Sequence, residues 1–294
     1  MSLKAPADAY RRIGLRPVSG ALGAVVDGVD LTDLDEAAFA AVHRALAEHL
    51  VLFFPGQALS REQQKALTRR FGPVQRVPFV APMADDPDVI AVLKEADETR
   101  ISVFGGDWHS DFSCLERPPM ATLLYAVEVP PFGGDTIWAD MRRAYAALSA
   151  GMQRLLAPLA AVHTGRPYGT KARLLVDNPA RSIRISRGDP AADLLTPHPI
   201  VRRDPDTGRR ALFVNPIYTS HIDGFSETES RPLLDFLYRH ATRPEFTCRH
   251  SWRAGDLAVW DNRATLHYAV NDYDGHRRLL HRTTVQGERP LGAG

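Results

Sequence analysis

The run Trp108-His109-Ser110-Asp111 sets an imidazole and a carboxylate two residues apart. Side chains alternate along an extended segment, so both would project from one face. A nitrogen and a hard anionic oxygen on one face make two thirds of a 2-His-1-carboxylate triad. Such a triad leaves three positions open on one side of an Fe(II) ion. His-x-Asp also arises by chance, and the pair alone does not define a metal site. A second cluster lies near the far end of the chain. His267 follows Trp260-Asp261-Asn262-Arg263, residues 271–275 are turn-rich, and Arg278, Leu280 and Arg282 would share one face of a returning strand. A histidine on one arm and two guanidinium groups on the other could face one cavity. Taken alone, His267 fits better as a satisfied core histidine, and the arginines as a solvated face.

Other chemistries lack their motifs. The chain has no G-x-x-x-x-G-K-[ST] phosphate loop and no G-x-G-x-x-G. It has no H-E-x-x-H zinc helix and no G-x-S-x-G nucleophile elbow.

The elements that must position these residues are irregularly ordered. Short apolar segments at 13–18, 51–54, 89–93, 122–127, 212–215, 257–260 and 279–285 read as strands. Thr32-Asp33 precedes a helical face of Phe39, Val42, Leu46 and Leu50. Ser60 with Gln63 forms a capping box opening a helix over 61–71, and Ser226 with Glu229 caps one carrying Leu233, Leu234, Leu237 and Ala241. Residues 142–156 read as helical with an interruption near Gly151. This order fits an α+β or barrel-like sheet dressed with helices, not a regular βαβ series. Residues 166–199 show no clean period, as expected of a lid, binding loop or insertion.

Composition bounds the function further. The chain of 294 residues allows one large domain or two small ones, and no linker divides it. Lys and Arg number 36 against 35 Asp and Glu, a formal net charge of +1, so there is no electrostatic footprint for nucleic acid or an anionic membrane. Cys114 and Cys248 form no disulfide framework, no apolar run reaches membrane-spanning length, and the first residues do not read as a secretory signal. The expectation is a soluble, cytoplasmic globular protein.

In combination the motifs resemble the TauD/TfdA family of Fe(II)- and 2-oxoglutarate-dependent dioxygenases. The resemblance runs through Gly23-Ala24-Val25-Val26-Asp27-Gly28-Val29-Asp30-Leu31, then Val51-Leu52-Phe53-Phe54-Pro55-Gly56-Gln57 and Phe71-Gly72-Pro73. It continues in family order through Trp108–Asp111, Gly133-Gly134-Asp135-Thr136, Phe213-Val214-Asn215 and Trp260–Arg263. It implies one domain over 1–294 with a double-stranded β-helix (jelly roll) core and helical additions. It also implies Fe(II) as the metal, held by His109, Asp111 and His267, with 2-oxoglutarate and O2 as co-substrates.

By the same resemblance Arg278 clamps the distal carboxylate of 2-oxoglutarate and Thr136 donates to it, while Arg282 meets an anionic group of the primary substrate or lies beside the 2-oxoglutarate; by its charge alone it could equally neutralise Asp111. The implied reaction hydroxylates a small organic anion, sulfonate-, alkyl-sulfate- or aryloxyalkanoate-like, as 2-oxoglutarate becomes succinate and CO2. A carbon bearing a heteroatom would then undergo C–X cleavage. Taurine-using relatives carry His and Asn where this chain has Val77 and Gly105, which disfavours taurine itself. Val77, Phe112, Tyr168 and Tyr218 could instead form an apolar substrate wall. Relatives are often dimers or tetramers, and no motif here marks an interface. Two other readings use the same residues: a non-catalytic jelly-roll binding module, and a Zn-dependent hydrolase.

Overall fold

The computed structural model of the chain describes residues 10, 12–99, 103–174 and 182–293. Its largest sheet has seven strands, in the order Gly14–Pro17, Ala24–Asp27, Val51–Phe54, Leu257–Asp261, Ala121–Glu128, Arg278–Val285 and Ile90–Lys94. Every pairing in it is antiparallel except that of Ala24–Asp27 with Val51–Phe54. Val51–Phe54 and Leu257–Asp261 are buried throughout, so 51–54 and 257–260 read as unbroken apolar runs, not as an alternation.

The two faces of this sheet have different partners. Leu52, Phe54, Leu123, Leu257 and Val259 pack with Val42 and Leu46 of helix α1 (Glu36–His49) and with Leu67 and Phe71 of helix α2 (Arg61–Phe71). Phe53, Leu124, Ala258, Trp260 and Leu280 pack instead with Trp138 and Met141. On that second side lie three antiparallel three-stranded sheets. They are Thr247–His250, Thr136–Asp140 and Thr265–Ala269; Thr219–Ile222, Ala160–His163 and Thr196–Pro199; and Arg210–Leu212, Val201–Arg203 and Leu291–Gly292. The architecture is mixed and sheet-rich. No helix among the described residues is long and apolar enough to cross a membrane.

Local signals set most helix ends. Both capping boxes form, at Ser60 with Gln63 and at Ser226 with Glu229, the latter opening a helix over Glu227–Ala241. The first helix is capped by Asp35, whose side chain accepts from the Ala38 amide, two residues beyond the expected Thr32-Asp33 signal. The expected helix over 142–156 is two helices, Met141–Ala146 and Ala150–Leu156. The break falls before Gly151, because Ser149 caps the second helix through the Met152 amide.

The strand expected at 212–215 is Arg210–Leu212, and Phe213 to Asn215 leave it to enter a buried polar network. Within 166–199 the chain forms the short 3-10 turns Thr170–Leu174 and Pro190–Asp193 and the strand Thr196–Pro199. Residues 175–181 lie outside the described residues.

Candidate active site

His109 and His267 are brought together by backbone. The His109 amide donates to the His267 carbonyl at 3.0 Å and the reverse bond is 2.8 Å, a lone antiparallel bridge beside the Thr265–Ala269 strand. The Ala269 amide donates to Gly105 O at 2.9 Å and extends the pairing. Asp111 lies past this bridge in a turn, not on the extended segment expected. Phe112 beyond it adopts the left-handed region at φ 44°. Asp111 nevertheless faces both imidazoles, with Oδ1 at 3.6 Å from His109 Nε2 and 3.7 Å from His267 Nε2. The arms carrying His267 and Arg278 belong to different sheets, so residues 271–275 cross between layers and do not close a hairpin.

The donor atoms suit one ion. All three residues are buried and their ligand atoms lie within 4.8 Å of one another. Two imidazole nitrogens and a carboxylate oxygen this close together form a donor set that one divalent transition-metal ion could use. His109 Nδ1 is 2.7 Å from the Asp107 carbonyl, so Nδ1 carries the proton and Nε2 presents its lone pair. Burial, aided by His109, holds His267 well below its ordinary pKa, leaving it neutral as a ligand must be.

Burial by itself would push the Asp111 carboxyl up. The Arg282 guanidinium outweighs it and keeps the group well below the usual carboxylate range. Arg282 Nη2 sits 3.1 Å from Asp111 Oδ2, but its N–H vectors are not aimed at that oxygen. The hydrogen bond to Asp111 Oδ2 comes from Thr122 Oγ1 at 2.6 Å. Thr122 in turn accepts from Asn262 Nδ2 at 2.9 Å, and Asn262 Oδ1 accepts from Trp260 Nε1 at 2.9 Å. This buried relay orients the carboxylate. Sequence reasoning noticed Trp260 and Asn262 as motif residues but gave them no role, and it missed Thr122, an ordinary strand residue by pattern.

A second buried cation lies further along the same strand. Arg278 is 3% exposed, its Nε has no hydrogen-bond partner, and its guanidinium carbon lies 5.9 and 5.8 Å from the Trp252 and Tyr273 rings. Thr136 Oγ1 accepts from Trp252 Nε1 at 3.0 Å, which leaves the hydroxyl proton to donate elsewhere. Gly134 makes this arrangement fit. At φ +66° its missing Cβ would stand 3.1 Å from Arg278 Cδ and Nε. A charged fork with an unpaired nitrogen, beside a free hydroxyl, is suited to a carboxylate.

The triad opens on a cavity of about 170 Å³ whose lining includes His109, Asp111, Gly105, Phe112, Tyr168 and Tyr218. Tyr168 and Tyr218 touch through their hydroxyls at 3.1 Å, and burial pushes the Tyr168 phenol up to about 12, so both are neutral. Phe112 stacks near both rings, at 6.1 and 6.4 Å, and the Arg282 guanidinium lies 5.4 Å over its face. Gly105, at φ +81°, leaves open a space that a Cβ would fill 3.1 Å from His109 Cε1. Val77 packs against the same apolar cluster, yet together with Arg282 it lines a neighbouring cavity of about 270 Å³. Ile185 and Arg187, from the stretch that showed no period, also line the triad cavity, and no sequence signal marked them.

The chain is similar to known proteins over most of its length. The family model "Taurine catabolism dioxygenase TauD, TfdA family" matches residues 14–284. An alpha-ketoglutarate-dependent sulfate ester dioxygenase of Pseudomonas putida is 37% identical over 95% of this chain and 91% of its own length. An alpha-ketoglutarate-dependent 2,4-dichlorophenoxyacetate dioxygenase of Cupriavidus pinatubonensis is 35% identical over 92% of this chain and 96% of its own. The crystal structure of a taurine dioxygenase from Burkholderia xenovorans superposes with a TM-score of 0.80 at 35% identity, covering 96% of this chain and 93% of that one. Two histidines and an aspartate converging on one point, with a buried arginine along the adjoining strand, thus sit in a chain matched almost from end to end. The chain belongs to the TauD/TfdA family of dioxygenases.

Proposed function

We propose that this Fe(II)- and 2-oxoglutarate-dependent dioxygenase oxidises a small organic anion at a carbon bonded to oxygen, as in an alkyl sulfate or an aryloxyacetate. The observation that carries the reading is the triad opening onto an aromatic-walled cavity with Arg282 against one of its ligands. Fe(II) would be held by His109 Nε2, Asp111 and His267 Nε2, and when bound it supplies oxygen activation coupled to conversion of 2-oxoglutarate to succinate and CO2. Arg278 and Thr136 bind and orient the distal carboxylate of 2-oxoglutarate. Arg282, ion-paired with Asp111 but with no hydrogen-bond partner at Nε or Nη2, draws the substrate anion toward the cavity.

Phe112, Tyr168 and Tyr218 exclude water and present an apolar face to the substrate body. Val77 and Gly105 offer an ammonium group no acceptor side chain, so taurine fits poorly. Hydroxylation of the O-bonded carbon of an alkyl sulfate would collapse to an aldehyde and inorganic sulfate, and that of phenoxyacetate to phenol and glyoxylate.

The fold, with its large sheet facing three small antiparallel ones, supports a double-stranded β-helix core. We assign a covering role to the described parts of 166–199. Tyr168, Ile185 and Arg187 line the cavity, and Val80 bridges Ile185. The two buried, unpaired cysteines suit a reducing cytoplasm, and assembly as a dimer or tetramer follows the habit of relatives. A binding module or a zinc hydrolase on the same residues is disfavoured by the family to which the chain belongs.

The test supplies Fe(II), O2 and 2-oxoglutarate with hexyl sulfate, phenoxyacetate or taurine, and measures succinate together with sulfate or phenol. Succinate matched by sulfate or phenol is expected, with little from taurine. Succinate independent of every member of the panel would refute the substrate class.

A further inference from the structure

Beneath the aromatic wall lies a polar cluster that touches neither the metal ligands nor the cavity. Ser113, two residues past Asp111, is wholly buried, as are His163 and Asn215. Ser113 Oγ accepts from Asn215 Nδ2 at 2.8 Å and lies 3.0 Å from His163 Nδ1. Asn215 Oδ1 accepts from the backbone N–H of Tyr218 at 2.9 Å, and the Asn215 amide donates to Thr219 Oγ1 at 3.0 Å. Thr219 Oγ1 is 3.4 Å from His163 Nε2, closing the ring. Burial holds His163 well below its ordinary pKa, so the ring is neutral; Nδ1 faces Ser113, and a hydrogen bond to the Phe213 backbone also anchors the ring.

The cluster joins two segments whose relative position matters. One is the turn 111–113, which carries Asp111 and the left-handed Phe112. The other is 215–219, which carries Tyr218. A packed, fully satisfied network in a low-dielectric interior is stiff, and it admits few alternative arrangements. An apolar core could hold the same segments in contact, but it would not set their register to a fraction of an ångström.

We propose that Asn215, acting with Ser113, His163 and Thr219, is a positioning residue. It locks the Asp111–Phe112 turn to the Tyr218 wall and so sets where the reacting carbon lies relative to the metal ligands. The proposal rests on the oxygenase reading above. Its consequence is specific: loosening the lock uncouples substrate oxidation from 2-oxoglutarate consumption and leaves 2-oxoglutarate binding intact. Arg278 and Thr136, at the other end of the site, touch none of the four residues.

The experiment uses the panel member that the full-length wild type oxidises fastest, with ascorbate as reductant, and measures product formed per succinate formed. Asn215→Ala and Ser113→Ala are expected to lower that ratio by roughly threefold or more, since small misplacements of a reacting group are costly. The KM for 2-oxoglutarate should stay within about twofold of wild type, as no contact to the Arg278 end is lost. A merely structural loss would reduce active enzyme and scale both products together, with the ratio unchanged.

Thr219→Val and Thr219→Ser form a milder pair should the alanine variants not fold. The valine, isosteric but without the hydroxyl, should uncouple, and the serine should not. An unchanged ratio in Asn215→Ala and Ser113→Ala, or in Thr219→Val where those do not fold, overturns the proposal. A wild type that makes no succinate with any panel member overturns the oxygenase reading, and this proposal with it.

Discussion

Replacing Gly134 with alanine tests whether the buried Arg278 fork binds the co-substrate. Gly134 has φ +66°, and a Cβ there would stand 3.1 Å from Arg278 Cδ and Nε and 3.2 Å from Tyr273 Cδ1. Ordinary contacts between such atoms are about 3.5–4.0 Å, so Arg278 must retreat by roughly half an ångström. The left-handed backbone adds roughly 1–2 kcal/mol of strain for a residue with a Cβ. A displaced fork that loses one charge-assisted hydrogen bond to a carboxylate forfeits about 1.5–3 kcal/mol. That corresponds to an increase of about 10- to 150-fold in the KM for 2-oxoglutarate.

Gly208 provides the control. It also has positive φ, +68°, but nothing lies within 4 Å of its would-be Cβ. Gly208→Ala therefore carries the strain without the clash. Steady-state succinate formation against 2-oxoglutarate concentration, with melting temperatures for both variants, separates the two effects. A KM in Gly134→Ala within twofold of wild type, or an equal rise in Gly208→Ala, would refute the role given to Arg278.

Asp111→Asn should abolish Fe(II) retention in anaerobic equilibrium dialysis. It should also lower the stability of the metal-free protein to urea by roughly 3–5 kcal/mol, because Arg282 is left buried without its counter-charge; unchanged stability would show that Arg282 does not depend on Asp111. Asn262→Ala strips Thr122 and the Trp260 indole of a partner and should weaken Fe(II) binding by about 10- to 100-fold without touching a ligand. His198, pushed down to about 4 by burial, binds a proton more weakly folded than unfolded. Stability is therefore fully present above pH 6.5 and lost on acidification, by about 2 kcal/mol between pH 7 and pH 4.5 from this group. Urea titrations at the two pH values should show the slope flattened in His198→Gln, and an equal slope in that variant would assign the effect to other groups.

Local chemistry made part of this protein legible in its sequence. Both capping boxes act through a side chain and an amide three residues away, so four residues suffice to read them. The buried runs 51–54 and 257–260 are apolar enough to announce central strands. His109, Asp111 and His267 could be named only in combination, through the order of motifs shared with the family, since neither the His-x-Asp pair nor the lone histidine defines a metal site by itself. Strands such as Thr136–Asp140 and Thr265–Ala269 escaped notice. Thr136 and His267 lie at the candidate site and Asp140 caps the helix Met141–Ala146, so polar residues break the apolar pattern that marks a strand.

Tertiary structure alone decided how those residues meet. The His109–His267 bridge, the relay from Asn262 through Thr122 to Asp111, and the Ser113 contacts with Asn215 and His163 join positions 11 to 158 residues apart. No local pattern encodes such pairings, because each depends on which sheet a strand enters and in what register. The same holds for Arg278 and Arg282. Their two-residue alternation put them on one face, but only the packing of two layers turned one toward Trp252 and Tyr273 and the other toward Asp111. Residue types thus carry the chemistry, and the antiparallel register of distant strands places it.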